Sequence, residues 1–270
     1  MKGSVIVACV LLAVSPGAGG QTLNPPPQGV LGLDRPLLPA EIAGVLDGVR
    51  RAIDGKKARI SAAPGGAGPE VLFGPDGRPR LMRATSGYSG MFWSISGGSG
   101  GGSVQAPLVE TRVDVVMITE YTGAPARACD GSTRHDDLVI EYEHRNAENG
   151  WTARARQRTS IEVMTPIFDM LAGATPTEAG GRRQIGDRAA RALVAPWKLP
   201  PGAIGDPPSG MMQSLWIDVE ALLPLRWSVS VPAAPARGIP TMPDYGLALT
   251  FDPAIDLKPP EGVARPDCIK

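Results

Sequence analysis

Apolar residues change their period along the chain, and each change predicts an element. Ile42, Val45, Leu46, Val49 and Ile53 recur at three- and four-residue spacing, which lines them along one stripe of a helix ending near Gly55. Pro39 suits its first turn. One apolar stripe means one packing face, so this helix must lie on something else. From Val71 the period turns to two. Val71-Leu72-Phe73 runs into Gly-Pro-Asp-Gly at 74–77, a turn, and residues 80–84 resume the extended pattern. Residues 91–95 (MFWSI) and 113–119 (VDVVMIT) read as further strands, with a flexible Gly/Ser loop at 97–103 between them.

Residues 138–145 and 151–158 form a hairpin. With its turn at 147–150, Glu143 falls opposite Arg154 and Glu141 opposite Arg156, a charged and solvated face. Those acidic partners make the alternate arginines 154, 156 and 158 a surface ladder rather than an anion site. The other face carries Leu138, Ile140, Tyr142 and His144 against Ala153, Ala155 and Gln157 and is apolar and covered. Thr165-Pro166 caps a short helix to Leu171, and residues 189–195 form a strand. After a Pro/Gly-rich loop at 196–210 comes a second hairpin, SLWIDVEALLPLRW, with Asp218 and Glu220 in its connection and Pro224 closing it. Leu215 and Ile217 share a face there, as do Leu225, Trp227, Val229 and Val231; a last strand covers 245–251. The pattern predicts about eight to ten antiparallel strands and two or three helices without βαβ alternation, an α+β protein with a curved antiparallel sheet covered on one side.

The N-terminus sets the compartment. Lys2, the apolar run 5–14, the break at Ser15-Pro16-Gly17 and the small residues Ala18-Gly19-Gly20 make residues 1–20 a secretory signal peptide, too short to span a membrane. Residues 21–38 are a Pro-rich, loosely held arm, and 39–270 form a single domain. The chain is therefore expected in the periplasm or outside the cell, with no transmembrane segment. Its 27 basic and 27 acidic residues leave no basic footprint for nucleic acid. Cys129 and Cys268 are an even pair in an oxidising compartment, which predicts a disulfide.

Little catalytic chemistry survives inspection. Gly97-Gly98-Ser99-Gly100-Gly101 has the nucleophile-elbow spacing, but the residues after it cannot start the helix which that motif requires. His135 sits in a polar turn and His144 at the end of an apolar strand face; neither has a partner at metal-ligand spacing. No enzyme class, metal or cofactor follows.

The run PIFDMLAG, then IGDRAARALVAP, then SLWIDVEALLPLRWSVSV and a strand to PPEGV resembles the C-terminal half of the LolA-like periplasmic carriers of outer-membrane lipoproteins, over residues 163–263. That resemblance implies an incomplete, strongly curved β-barrel whose concave face is covered by helices, with acyl chains held between. The implied partners are lipid or lipoprotein acyl chains, and the candidate cavity residues are Leu138, Ile140, Tyr142, Leu215, Ile217, Leu225, Trp227 and Val229. The alternative is a secreted structural or protein-interaction domain with a filled core and no ligand.

Overall fold

The computed structural model describes residues 29–62, 64–85, 115–145, 150–158, 165–197, 210–230 and 245–270. The expected signal peptide, the start of the Pro-rich arm, the strand at 91–95, the Gly/Ser run with Ser99 and most of the 196–210 loop lie outside the described residues.

Helix α1 spans Pro39–Ile53 and leads into strands β1 (Lys57–Ser61), β2 (Glu70–Phe73), β3 (Pro79–Thr85), β4 (Val115–Arg127), β5 (Thr133–Arg145) and β6 (Trp151–Gln157). Helix α2 (Thr165–Leu171) precedes β7 (Glu178–Ile185), β8 (Arg188–Pro196), β9 (Met212–Asp218), β10 (Pro224–Ser230) and β11 (Tyr245–Phe251). All eleven strands form one open antiparallel sheet. β1 to β6 walk outward from its middle, and β7 to β11 walk back in from the opposite edge, so β1 and β11 pair at the centre. An open sheet of eleven strands is about 48 Å wide if flat, at ~4.8 Å per strand, and twist rolls up a sheet of this width, which fits a curved sheet.

Directly opposed residues in an antiparallel pair share a face, so the registers assign the faces. Tyr142 lies opposite Ile118, Arg83 opposite Ile118 and Glu70, and Arg59 opposite Glu70 and Thr250. All of these are on one face. Leu249 opposes Ile60, Leu247 opposes Trp227, and Leu215 lies between Trp227 and Leu193, all on the other. On this second face, the helix face, Ile42, Val45, Leu46, Val49 and Ile53 of α1 and Ile167, Phe168, Met170 and Leu171 of α2 join Phe73, Leu193, Leu215, Ile217, Trp227 and Leu249 in the main core cluster. Phe168 meets the Phe73 ring edge-on with centroids 6.2 Å apart. Among the described residues, α1 is the longer helix, about 22 Å at 1.5 Å per residue. The two helices therefore cover part of this face and do not span it.

The first face carries the C-terminal tail, residues 252–270. Lys57 Nζ donates to the Ile255 carbonyl (2.6 Å) and Arg83 Nη1 to that of Asp256 (2.8 Å). Ile255 and Leu257, two residues apart and so on one side of an extended segment, enter a second apolar cluster with Leu81, Ile118, Ile140 and Tyr142. Arg265 pairs with Glu120 (2.9 Å), and Cys268 is bonded to Cys129. We call it the tail face.

Two sequence expectations need correction. The hairpin β5–β6 pairs His144 with Trp151, Glu141 with Arg154 and Val139 with Arg156, two residues away from the expected register. Its connection is longer than the assumed four-residue turn, and a shift of two keeps each side chain on its face while changing its partner. Glu141 consequently takes both Arg154 (2.7 Å) and Arg156 (2.5 Å) and is buried beneath them rather than solvated. The arm is also docked where it is described: Val30, Leu31 and Leu37 are buried in the main cluster.

Candidate functional site

The site the sequence points to is the contact between helices and sheet, and its parts are local consequences of the sequence. Pro39 opens α1, whose first-turn Glu41 turns back to accept from the Leu38 amide (2.8 Å) and from Arg35 (2.6 Å). Those hydrogen bonds, Arg35 first and the Leu38 amide second, hold the Glu41 carboxyl down to about 2. Arg191 of β8 lies buried on the helix face and spends its donors on carbonyls, those of Leu33 (2.6 Å) and Arg35 (2.7 Å), with a longer one to Gly180 (3.3 Å). Arg182 of β7 reaches the Gly32 carbonyl and Asp34. The segment before α1 is thus fastened to β7 and β8 by arginines. Burial, with Arg182 nearby, pushes the Arg191 guanidinium below its ordinary value.

The WID…LP hairpin is built around its aspartate. Asp218 Oδ1 accepts from the amides of Glu220 and Ala221, each at 2.8 Å, and Oδ2 from Arg188 (3.0 Å). Leu222 takes a left-handed φ of 56°, held there while its side chain packs on the main cluster. The motif therefore encodes a turn. It gives the hairpin its shape and places no reactive group.

The eight expected cavity residues fall in three places. Leu215, Ile217, Trp227 and Val229 lie together on the helix face in the main cluster. Trp227 Nε1 donates to the buried Gln213 Oε1 (3.2 Å), which settles its polar edge inside the apolar layer. Leu138, Ile140 and Tyr142 lie on the tail face, where Ile140 and Tyr142 sit beneath the C-terminal tail. The Tyr142 hydroxyl donates to Glu120 Oε2 (3.0 Å), and burial followed by that carboxylate pushes its phenol up to about 12. Leu225 is the extra residue of a β-bulge between Pro224 and Arg226 and belongs to neither cluster. The set does not line one compartment, because a sheet stands between its halves. Ile140, Tyr142, Leu215 and Ile217 are each exposed by 1% or less. Such residues face no space a water molecule could occupy, so around them the ligand-free interior is filled.

Among the described residues no group of three or more His, Cys, Asp or Glu could hold a metal, and no helix is long and apolar enough to cross a membrane. His144 stacks on Trp151 with centroids 5.2 Å apart. Sequence reasoning missed β1, β7, the arginine fastening of the arm and the tail. Only the tail left a signal: the Cys129–Cys268 pair ties its end to the middle of the chain, and the two-residue spacing of Ile255 and Leu257 marks its docked side. No protein-family model matches the chain, and no curated protein matches it.

Proposed function

We propose that the chain is an exported binding module that takes a hydrophobic ligand, an acyl chain or lipoprotein lipid, between its sheet and its helices. The observation that carries this reading is how the helix layer is attached. The strand ladder runs unbroken from β6 to β7, and α1 and α2 meet it mainly through apolar side chains, with an Arg78–Asp169 ion pair (3.4 Å) beside them, so the layer can part from the sheet without breaking the ladder. The resemblance of residues 163–263 to LolA-like carriers supports the same face and the same ligand class. The signal-peptide pattern of residues 1–20 and the Cys129–Cys268 bridge, a bond of oxidising compartments, support export.

Leu215 and Ile217 are completely buried, so a ligand beside them must replace contacts rather than enter a preformed space. Uncovering the α1 stripe of Ile42, Val45, Leu46, Val49 and Ile53 costs roughly 10 kcal/mol, at about 2 kcal/mol per side chain. An acyl chain returns about 0.8 kcal/mol per buried methylene, so roughly a dozen are needed to break even. Affinity should therefore rise steeply with chain length, with short chains inert. One observation favours a second reading, a secreted interaction domain without ligand: Leu215 and Ile217 are completely buried already.

A brominated fatty acid separates the two, because bromine quenches tryptophan only on contact. Trp227 lies on the helix face, while Trp216, the cross-strand partner of Arg226, lies on the opposite one. Quenching that survives Trp216→Phe and falls in Trp227→Phe is the expected result, with any remainder from Trp197, which packs on the same cluster. Absence of quenching by long-chain acids, or quenching that needs Trp216 instead, would sink the proposal.

A further inference from the structure

The tail face holds a second site, unconnected with the helix face. Where the C-terminal tail passes the β4–β6 end of the sheet it leaves a solvent-open hollow of about 370 Å³. The sheet supplies Arg83, Ile118 and Trp151; the tail supplies Asp256, Lys258, Pro259, Pro260 and Glu261. We propose that this hollow is a saccharide-binding site for a single neutral hexopyranose unit.

Three features select that chemistry. The volume lies at the small end of ligand pockets, roughly 300 Å³ upward, too little for a long acyl chain. Trp151 gives a broad indole and the two prolines give aliphatic ring edges, surfaces on which the C–H face of a pyranose stacks. The remaining polar groups are two cations, Arg83 and Lys258, and two carboxylates, Asp256 and Glu261. Lys258 bonds Glu261 (2.7 Å), while Arg83 Nε donates to Glu70 beside the hollow (2.7 Å) and its Nη1 to the Asp256 main-chain carbonyl. Charges of both signs in equal number exert little net pull on an ion. They do offer donors and acceptors side by side, which suits hydroxyl groups that must both give and accept. Trp151 is braced from β5 by His144, so the platform is held before a ligand arrives.

Five of the eight lining residues belong to the tail, whose end is held by the Cys268–Cys129 bridge and by Arg265 on Glu120. The site therefore exists only while the tail is docked, and the bridge is one of its positioning elements, with Lys57 on the Ile255 carbonyl and the buried Ile255 and Leu257.

The test is saturation-transfer NMR on the full-length exported chain with millimolar glucose, galactose and N-acetylglucosamine. The expected result is transfer to the ring protons of at least one sugar. Affinity should fall about tenfold in Trp151→Ala and survive in Trp151→Phe, which keeps a flat ring. Lys258→Ala changes an exposed side chain that the core does not need, and it should weaken binding with unchanged circular dichroism. Cys268→Ser should weaken it as well. Transfer from none of the three sugars overturns the proposal. So does transfer that is equal in the wild type, Trp151→Ala and Lys258→Ala, which would place the sugar elsewhere. Full binding in Cys268→Ser would contradict the role given to the tail. None of these readings depends on acyl-chain uptake at the helix face.

Discussion

Asp218 is buried yet fully occupied, with two turn amides and Arg188 sharing its carboxylate. Removing it leaves a guanidinium and two amides without their acceptor. Asp218→Ala should cost about 3 kcal/mol in urea unfolding, against well under 1 kcal/mol for the neighbouring exposed Glu220→Ala. Leu215→Ala should cost about 3–4 kcal/mol because its site cannot collapse, whereas Leu225→Ala, at the bulge and outside both clusters, should cost about 1 kcal/mol. Tyr142 makes a pH prediction whose sign is fixed by its environment. Its phenol is raised to about 12, so the neutral form is the one the fold favours. That contribution is complete below the ordinary tyrosine value of about 10 and is lost as pH climbs through about 12. Ultraviolet titration should show a late-ionising component that is absent in Tyr142→Phe.

At the scale of elements, α1 begins with a charge arrangement that acid should undo. The Glu41 carboxyl is held down to about 2, so its contribution is whole above about 4.5 and disappears as pH falls from there towards 2. The protection factor of the Leu38 amide, which donates to Glu41, should fall across that window, and Glu41→Ala should show the low protection already at neutral pH. The helix itself was legible because its five apolar residues repeat at the helical period, and the hairpins were legible from their turns. β7 was not, because EAGGRRQI carries almost no apolar alternation and is recruited by pairing with β8. Faces were harder still. Alternation tells that Ile140 and Leu215 each point to a covered side, but whether the two covered sides are the same depends on every register between β5 and β9. Local pattern carries no such information, which is why seven of the eight apolar positions read as one cavity lining divide between opposite faces.

At the scale of the molecule, the sheet has two covers of different kinds. Helices and the arm are held on one face by apolar packing and arginine-to-carbonyl bonds, while the tail on the other is closed covalently across 139 residues. A loop of that length raises stability by about 5 kcal/mol on the chain-entropy model, an upper figure, so Cys268→Ser should lower stability by about 2–5 kcal/mol. On the proposed reading ligand exchange belongs to the helix side, since the disulfide closes the tail side. Native mass spectrometry of the protein purified from its own cells, followed by organic extraction, tests this most directly. The account predicts a population heavier than the polypeptide by the mass of an acyl lipid, recovered in the extract and lost in Trp227→Asp while Leu225→Asp retains it. A bare polypeptide mass, with no long-chain fatty acid taken up on incubation, would contradict it and leave the helix face as core alone.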